Sequence, residues 1–262
     1  MTKYTADGTA YEIVGPVGAP AVILIHGLGL CRDIWRAHLP ELSRSHCVIL
    51  YDLYGHGESA PAPATVTLTL FSEQVLGLME AIGLKKMSLI GFSIGGMINR
   101  RVALDHSERL DRIVILNSPH DRGAEAQKSV EARAAKVRDE GRMATMQNAL
   151  ERWFTPEFRL AHPEYLTKVR DWRAATDPES YAQSAWVLAN GVRELITPKP
   201  VIDQPCLVIT SQNDSGSTPE MSHAIAAEIP GSECHIIPKL QHLGLIEDPK
   251  AFTSPIVKFL NG

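Results

Sequence analysis

A mostly parallel β-sheet wound on both faces by helices, an α/β architecture, is the fold this chain predicts. Three observations predict it: short, continuously apolar runs recur along the sequence, one-faced helical segments separate them, and the alternation lapses only once, between about residues 120 and 204. Strands without polar alternation are buried on both faces, and a helical layer on each side of a parallel sheet supplies that burial.

The elements follow in order. In "KYTADGTAYEIVG", Asp7-Gly8 lies between residues of β character and reads as a hairpin at the sheet edge. "AVILIHG" (21–27) is a strand. Residues 34–44 have helical character, with Pro40 as the point at which a helix would break. "CVILYDL" (47–53) is the next strand. Over 68–84, Leu68, Phe71, Val75, Leu78 and Ile82 recur at intervals of three and four, the mark of a one-faced helix. "MSLIGF" (87–92) is a strand, and Ile94, Ile98 and Val102 form an apolar stripe on the helix behind it. "RIVILN" (112–117), "PCLVIT" (205–210) and "ECHIIP" (233–238) complete the sheet. A C-terminal helical segment comes last, interrupted or restarted at Pro255 with Ser254 as its cap.

Where the alternation lapses, segments such as 124–150 look helical. Trp153, Trp172 and Trp186 lie there with Phe154, Phe158, Tyr165 and Tyr181. An inserted helical layer needs a small core of its own, and most of these rings serve it. Trp153 and Trp186 are the candidates to face a substrate pocket.

Composition excludes several function classes. The 262 residues carry a formal net charge of -4, which leaves no basic footprint for nucleic acid. The longest apolar runs fall far short of the roughly 18 residues of a membrane span, and "MTKYTADGTAYEIVG" lacks the apolar stretch of a secretory signal. Neither a nucleic-acid nor a membrane partner is expected. Cys47, Cys206 and Cys234 sit in or beside strand runs, where a thiol behaves as a small hydrophobe, and Cys31 lies in a loop without a partner. No Cys/His spacing suggests a metal, and reduced thiols fit a cytoplasmic protein.

Chemistry gathers at the strand ends, where ligands of such sheets collect. "GFSIGG" (91–96) sets Ser93 between Gly91 and Gly95 directly after a strand. A serine there either caps the following helix or stands exposed on a tight strand-to-helix turn. "HGLG" (26–29) follows another strand, and the backbone N–H of Leu28 in that loop can join that of Ile94 to hold an oxyanion. Asp214 lies four residues past the strand 205–210, and His242 lies just beyond the last strand. Either alone could be a turn residue or a surface histidine. Ser93, Asp214 and His242 nevertheless occur in the chain order of the strand-turn-helix hydrolases.

Through "HGLG", "DLYGHGES" (52–59), "GFSIGG", "VITSQND" (208–214) and "QHLGLIEDP" (241–249), the chain resembles the α/β-hydrolase superfamily over essentially its whole length. The resemblance implies an α/β-hydrolase core at 1–119 and 205–262, with a helical cap at 120–204 inserted after the sixth strand. It implies that Ser93 is the nucleophile on a strained elbow, His242 its general base, and Asp214 the acid that orients the imidazole. Leu28 and Ile94 would supply the oxyanion hole. No metal and no organic cofactor is required. Asp121, past the strand 112–117, is a second place from which an acid can reach the histidine. His26 braces the oxyanion loop, His120 is near a strand end too, and His56 with Asp52 belongs to a structural turn.

Within the superfamily, "LIHGLGLCRDIWRAHLPELS", "GFSIGGMINRRVALDHSERLDRIVILNS" and "RWFTPEFR" look like the 3-oxoadipate enol-lactonase group. The resemblance implies hydrolysis of a small carboxylic ester or lactone in aromatic catabolism. Amide hydrolysis, carbon–carbon cleavage of ring-fission products and cofactor-free perhydrolysis use the same triad and are the alternatives, and a non-catalytic binding protein on this fold is a fourth. Position 93 is Ser rather than Asp, which disfavours epoxide hydrolases and haloalkane dehalogenases. Of the cap arginines, Arg133, Arg138, Arg142, Arg152, Arg159, Arg170, Arg173 and Arg193, most are expected in solvent, with one available to pair with a substrate carboxylate. The partners implied are the small ester or lactone substrate and, at most, further copies of the chain in a homo-oligomer.

Overall fold

Eight strands form one sheet in the computed structural model, which describes residues 1–262. In chain order they are β1 (Lys3–Tyr4), β2 (Ala10–Val14), β3 (Ala21–Ile25), β4 (Cys47–Tyr51), β5 (Met87–Phe92), β6 (Leu110–Leu116), β7 (Cys206–Ser211) and β8 (Glu233–Ile237). Their spatial order is β1-β2-β4-β3-β5-β6-β7-β8. β1 and β2 pair antiparallel around the Asp7-Gly8 turn, where Gly8 takes a φ of +80° that a side chain would disfavour. β2 runs antiparallel to β4, and every later pairing is parallel.

The helices are α1 (Leu39–Leu42), α2 (Leu68–Ala81), α3 (Ile94–Asp105), α4 (Gly123–Glu140), α5 (Met146–Trp153), α6 (Pro156–Ala161), α7 (Pro163–Ala175), α8 (Pro178–Asn190), α9 (Pro219–Glu228), α10 (Gly244–Glu247) and α11 (Pro249–Asn261). Central strands are buried on both faces. Ile23, Leu89 and Ile113 pack on one side with Phe71, Val75 and Leu78 of α2 and with Ile98 and Val102 of α3. Val22, Leu24, Ile90 and Val114 pack on the other with Trp35 and with Phe252, Ile256 and Leu260 of α11. Burying each such side chain contributes roughly 1.5–3 kcal/mol, which is why these strands needed no polar alternation. Helices α4 to α8 form the helical region inserted between β6 and β7. No helix is long and apolar enough to cross a membrane.

Two expected elements differ in detail. In place of one helix over 34–44, a 3₁₀ turn at Arg32–Trp35 is followed by the single turn α1, with Pro40 in its first turn. Proline has no N–H to bond back into a preceding turn, so the helix restarts around it instead of running through. The C-terminal helix behaves the other way. α11 is continuous through Pro255 and is capped by Asp248, whose side chain accepts from the Ala251 N–H at 3.1 Å; Ser254 is not its cap. Phe252, Ile256 and Leu260 bury one face of α11, and that packing outweighs the backbone bond that Pro255 forfeits.

Candidate active site

The turn from β5 into α3 is built by small residues. A Cβ on Gly91 would overlap the Gly95 carbonyl, and one on Gly95 would stand 2.5 Å from the Ile25 oxygen. With neither present the chain reverses tightly, and Ser93 is held at φ 58° and ψ −114°, a conformation non-glycine residues rarely adopt. Its N–H donates to the Leu116 carbonyl at 2.8 Å. Ser93 occupies the N-cap position of α3, yet its side chain makes no capping hydrogen bond. Of the two readings of this serine, helix cap or exposed hydroxyl, the geometry therefore favours the second: Ser93 lines a cavity together with His242 and Asp214.

His242 follows β8, and its Nδ1 donates to Asp214 Oδ2 at 2.6 Å. Asp214 is 2% exposed. Burial alone would raise its pKa, but the His242 charge and hydrogen bond, with further donors, hold the carboxyl below its ordinary value. Those donors are the Gly216 N–H at 2.8 Å and the Ser217 N–H at 3.0 Å on Oδ1, and Asn117 Nδ2 at 2.8 Å on Oδ2. The imidazole is flanked by the ring of Phe92 at 4.9 Å and by that of Trp153 at 6.0 Å. The Ser93 hydroxyl and His242 face the same space without a hydrogen bond between them.

Leu28 lines the cavity, and its N–H has no backbone acceptor. Ile94 is the first residue of α3, where an N–H has no partner within the helix. The loop holding Leu28 is anchored by His26: its Nδ1 meets the Gly27 carbonyl at 2.8 Å while its Nε2 accepts from the Leu53 N–H at 3.0 Å. Burial pushes the His26 pKa down to about 4, which keeps the ring neutral so that Nε2 can accept.

The inserted helices close over these groups. The Leu243 N–H donates to the Trp153 carbonyl at 2.8 Å, and Thr155 donates through its N–H and hydroxyl to Glu247 at 2.8 and 2.6 Å. Trp153 lines the cavity as expected, whereas Trp186 does not. On α8 the cavity-facing residues are Tyr181, Ala185 and Leu188, spaced by four and three; Trp186 is one residue out of that phase and is 52% exposed. Asp121 is exposed, and its carboxylate accepts from the Gly123 N–H at 2.9 Å, not from His242. His56 donates to the Tyr54 carbonyl at 2.9 Å, and Asp52 pairs with Arg32, which puts both in structural turns. His120 faces Glu228 at 3.1 Å.

Sequence reasoning missed Asn117, whose signal was an Asn ending a strand; it sits at φ 45°, in the left-handed region where Asn is enriched. It also missed that several cap arginines point inward.

Comparison with known proteins gives a consistent setting. The sequence model of the family described as alpha/beta hydrolase fold matches residues 20–249. A 3-oxoadipate enol-lactonase of Acinetobacter baylyi is 28% identical over 247 residues, covering 94% of this chain and 90% of that protein. The crystal structure of the enol-lactonase from Burkholderia xenovorans superposes with a TM-score of 0.90 at 29% identity, with 100% of each chain covered. A thermophilic esterase from Thermogutta terrifontis superposes at 0.87 with 29% identity, covering 100% of this chain and 97% of that one.

Proposed function

The chain belongs to the alpha/beta hydrolase fold family, and from that premise we propose that it is a serine hydrolase cleaving small carboxylic esters or lactones through an acyl-enzyme on Ser93. The observation that carries this reading is the His242–Asp214 hydrogen bond at 2.6 Å beside a cavity into which Ser93 presents an uncommitted hydroxyl. A serine alcohol is a weak nucleophile at neutral pH. With Asp214 holding Nδ1–H, the other ring nitrogen of His242 is free to take the Ser93 proton as the oxygen attacks the carbonyl carbon. The hydrogen bond that step needs forms when substrate draws the two groups together, as catalytic contacts tighten in the bound state.

Negative charge then develops on the carbonyl oxygen. The Leu28 and Ile94 N–H groups meet it, each worth roughly 2.7–4 kcal/mol by the usual cost of losing such a donor. His242 returns its proton to the departing oxygen, and water activated by the same ring releases the acid. Residues 120–204 act as a cap over a core formed by 1–119 and 205–262, keeping bulk water from the acyl-enzyme. Likeness to proteins described as enol-lactonases supports a lactone as the finer reading. A fluorophosphonate probe followed by peptide mass spectrometry is expected to modify Ser93, and Ser93→Ala is expected to bring turnover of p-nitrophenyl acetate to background. Labelling at any other residue, or undiminished turnover, refutes the assignment.

A further inference from the structure

The loop that carries His242 is tied to the inserted helices more firmly than its own fold requires. His242, Leu243 and the single turn α10 follow one another directly. That turn is closed by bonds of its own, from the Ile246 N–H to the Leu243 carbonyl and from the Asp248 N–H to the Gly244 carbonyl, each at 2.8 Å. The Leu243 N–H instead goes to the Trp153 carbonyl at the end of α5. One turn later Glu247 grips the same stretch of the cap, Oε1 accepting the Thr155 N–H at 2.8 Å and Oε2 the Thr155 hydroxyl at 2.6 Å.

Glu247 is half-buried. Burial raises its pKa, the two Thr155 donors work against that rise, and no cationic side chain is paired with it. A carboxylate withdrawn from water without a counter-ion depends on such donors. Thr155 is itself fixed: it is the N-cap of α6, its Oγ1 accepting from the Phe158 N–H at 3.3 Å, and Pro156 follows it at the first helical position. Between the Leu243 and Glu247 contacts stands Trp153, whose ring is 6.0 Å from that of His242, opposite Phe92 at 4.9 Å. Asp214 fixes Nδ1 of the imidazole, but the ring can still tilt about that bond. The two flanking rings limit the tilt, and one of them belongs to the cap.

We infer that Glu247 is a positioning residue: its fork on Thr155 holds the cap against the histidine loop and so keeps the free nitrogen of His242 turned into the cavity shared with Ser93. The inference rests on the serine-hydrolase reading for the role of that nitrogen, and on the fork alone for the hold on the loop.

Two measurements on Glu247→Ala separate these parts. Hydrogen exchange at the Thr155 and Leu243 amides, followed in peptides spanning 153–158 and 241–248, is expected to quicken about tenfold or more. Labelling of Ser93 by a fluorophosphonate, and kcat for p-nitrophenyl acetate, are expected to fall about tenfold with KM within about twofold of the wild type. A merely structural contact would lower Tm and leave the labelling rate of the folded protein as it was. Thr155→Ser keeps both donors and should behave as the wild type; Thr155→Val keeps only the N–H and should fall between, which preserves the test if Glu247→Ala does not fold. Adding Thr155→Val to Glu247→Ala should slow labelling by less than about twofold further, since both act on one contact. Glu151→Gln, an exposed carboxylate of α5, is expected to change neither rate nor exchange. A wild type that neither labels nor turns over defeats the hydrolase reading and with it the role given to His242, whereas unchanged exchange in Glu247→Ala defeats the fork. Faster exchange with unchanged labelling, or a loss carried by KM with kcat intact, overturns the positioning role.

Discussion

Asn117 donates to the same Asp214 oxygen that accepts the His242 proton. It therefore steadies the carboxylate in its ionised form and fixes the direction from which the imidazole is held. Asn117→Ala is expected to cost about tenfold in kcat/KM, since a hydrogen bond to a charged group contributes roughly 1.5–3 kcal/mol. With that donor gone the Asp214 pKa rises and more negative charge remains for the imidazolium, so the acid limb of the pH–rate profile should move to higher pH. A profile of the wild-type shape at reduced amplitude would count against this role. Asp121→Asn should change neither rate nor profile, because Asp121 serves a surface turn. At this scale the sequence was informative where polar residues in the loops after β5, β7 and β8 matched a recognisable chain order, as with Ser93, Asp214 and His242, and uninformative at Asn117, a lone polar residue closing an apolar run. It left open which of the cap arginines turn inward, because the face of a cap helix that turns inward depends on neighbours far along the chain, and the misplacement of Trp186 has the same cause.

The strand-turn-helix made by β5 and α3 depends on the absence of side chains at Gly91 and Gly95. Gly91→Ala brings a methyl against the Gly95 carbonyl, a backbone contact with nowhere to yield. Overpacking of this kind costs about 1–3 kcal/mol or more, so the variant should melt several degrees lower and label poorly with the serine probe; an unchanged Tm would contradict the packing account. Pro255 offers the opposite case. In mid-α11 it forfeits one backbone bond, and Pro255→Ala should raise stability by about 1 kcal/mol or more, readable as a shift in the urea midpoint. Strands were legible from sequence because burial on both faces leaves an unbroken apolar run. The ends of α1 and α11 were not, because a proline or a cap residue states a local preference that tertiary packing then overrules.

Over the whole molecule, buried histidines tie stability to pH. Burial holds His26 and His38 down at about 4, and burial with the neighbouring His26 charge holds His56 at about 3. In the unfolded chain each returns to the ordinary value of about 6.5. Between that value and about 4, the unfolded state binds more protons than the native one, so stability is full above about pH 6.5 and falls as the pH drops. The slope is up to about 1.4 kcal/mol per pH unit for each histidine. Urea midpoints at pH 7.5, 6 and 5 should decline in that order, and a flat series would mean that these rings are already solvated in the native state. The strand order also times the chain's chemistry. The alcohol is laid down with β5, the roofing helices follow, and acid and imidazole are supplied last, after β7 and β8 at one edge of the sheet. A ribosome stalled short of β7 thus holds a polypeptide without Asp214 and His242, and on the proposed mechanism the reactivity of Ser93 waits for the loop that follows β8.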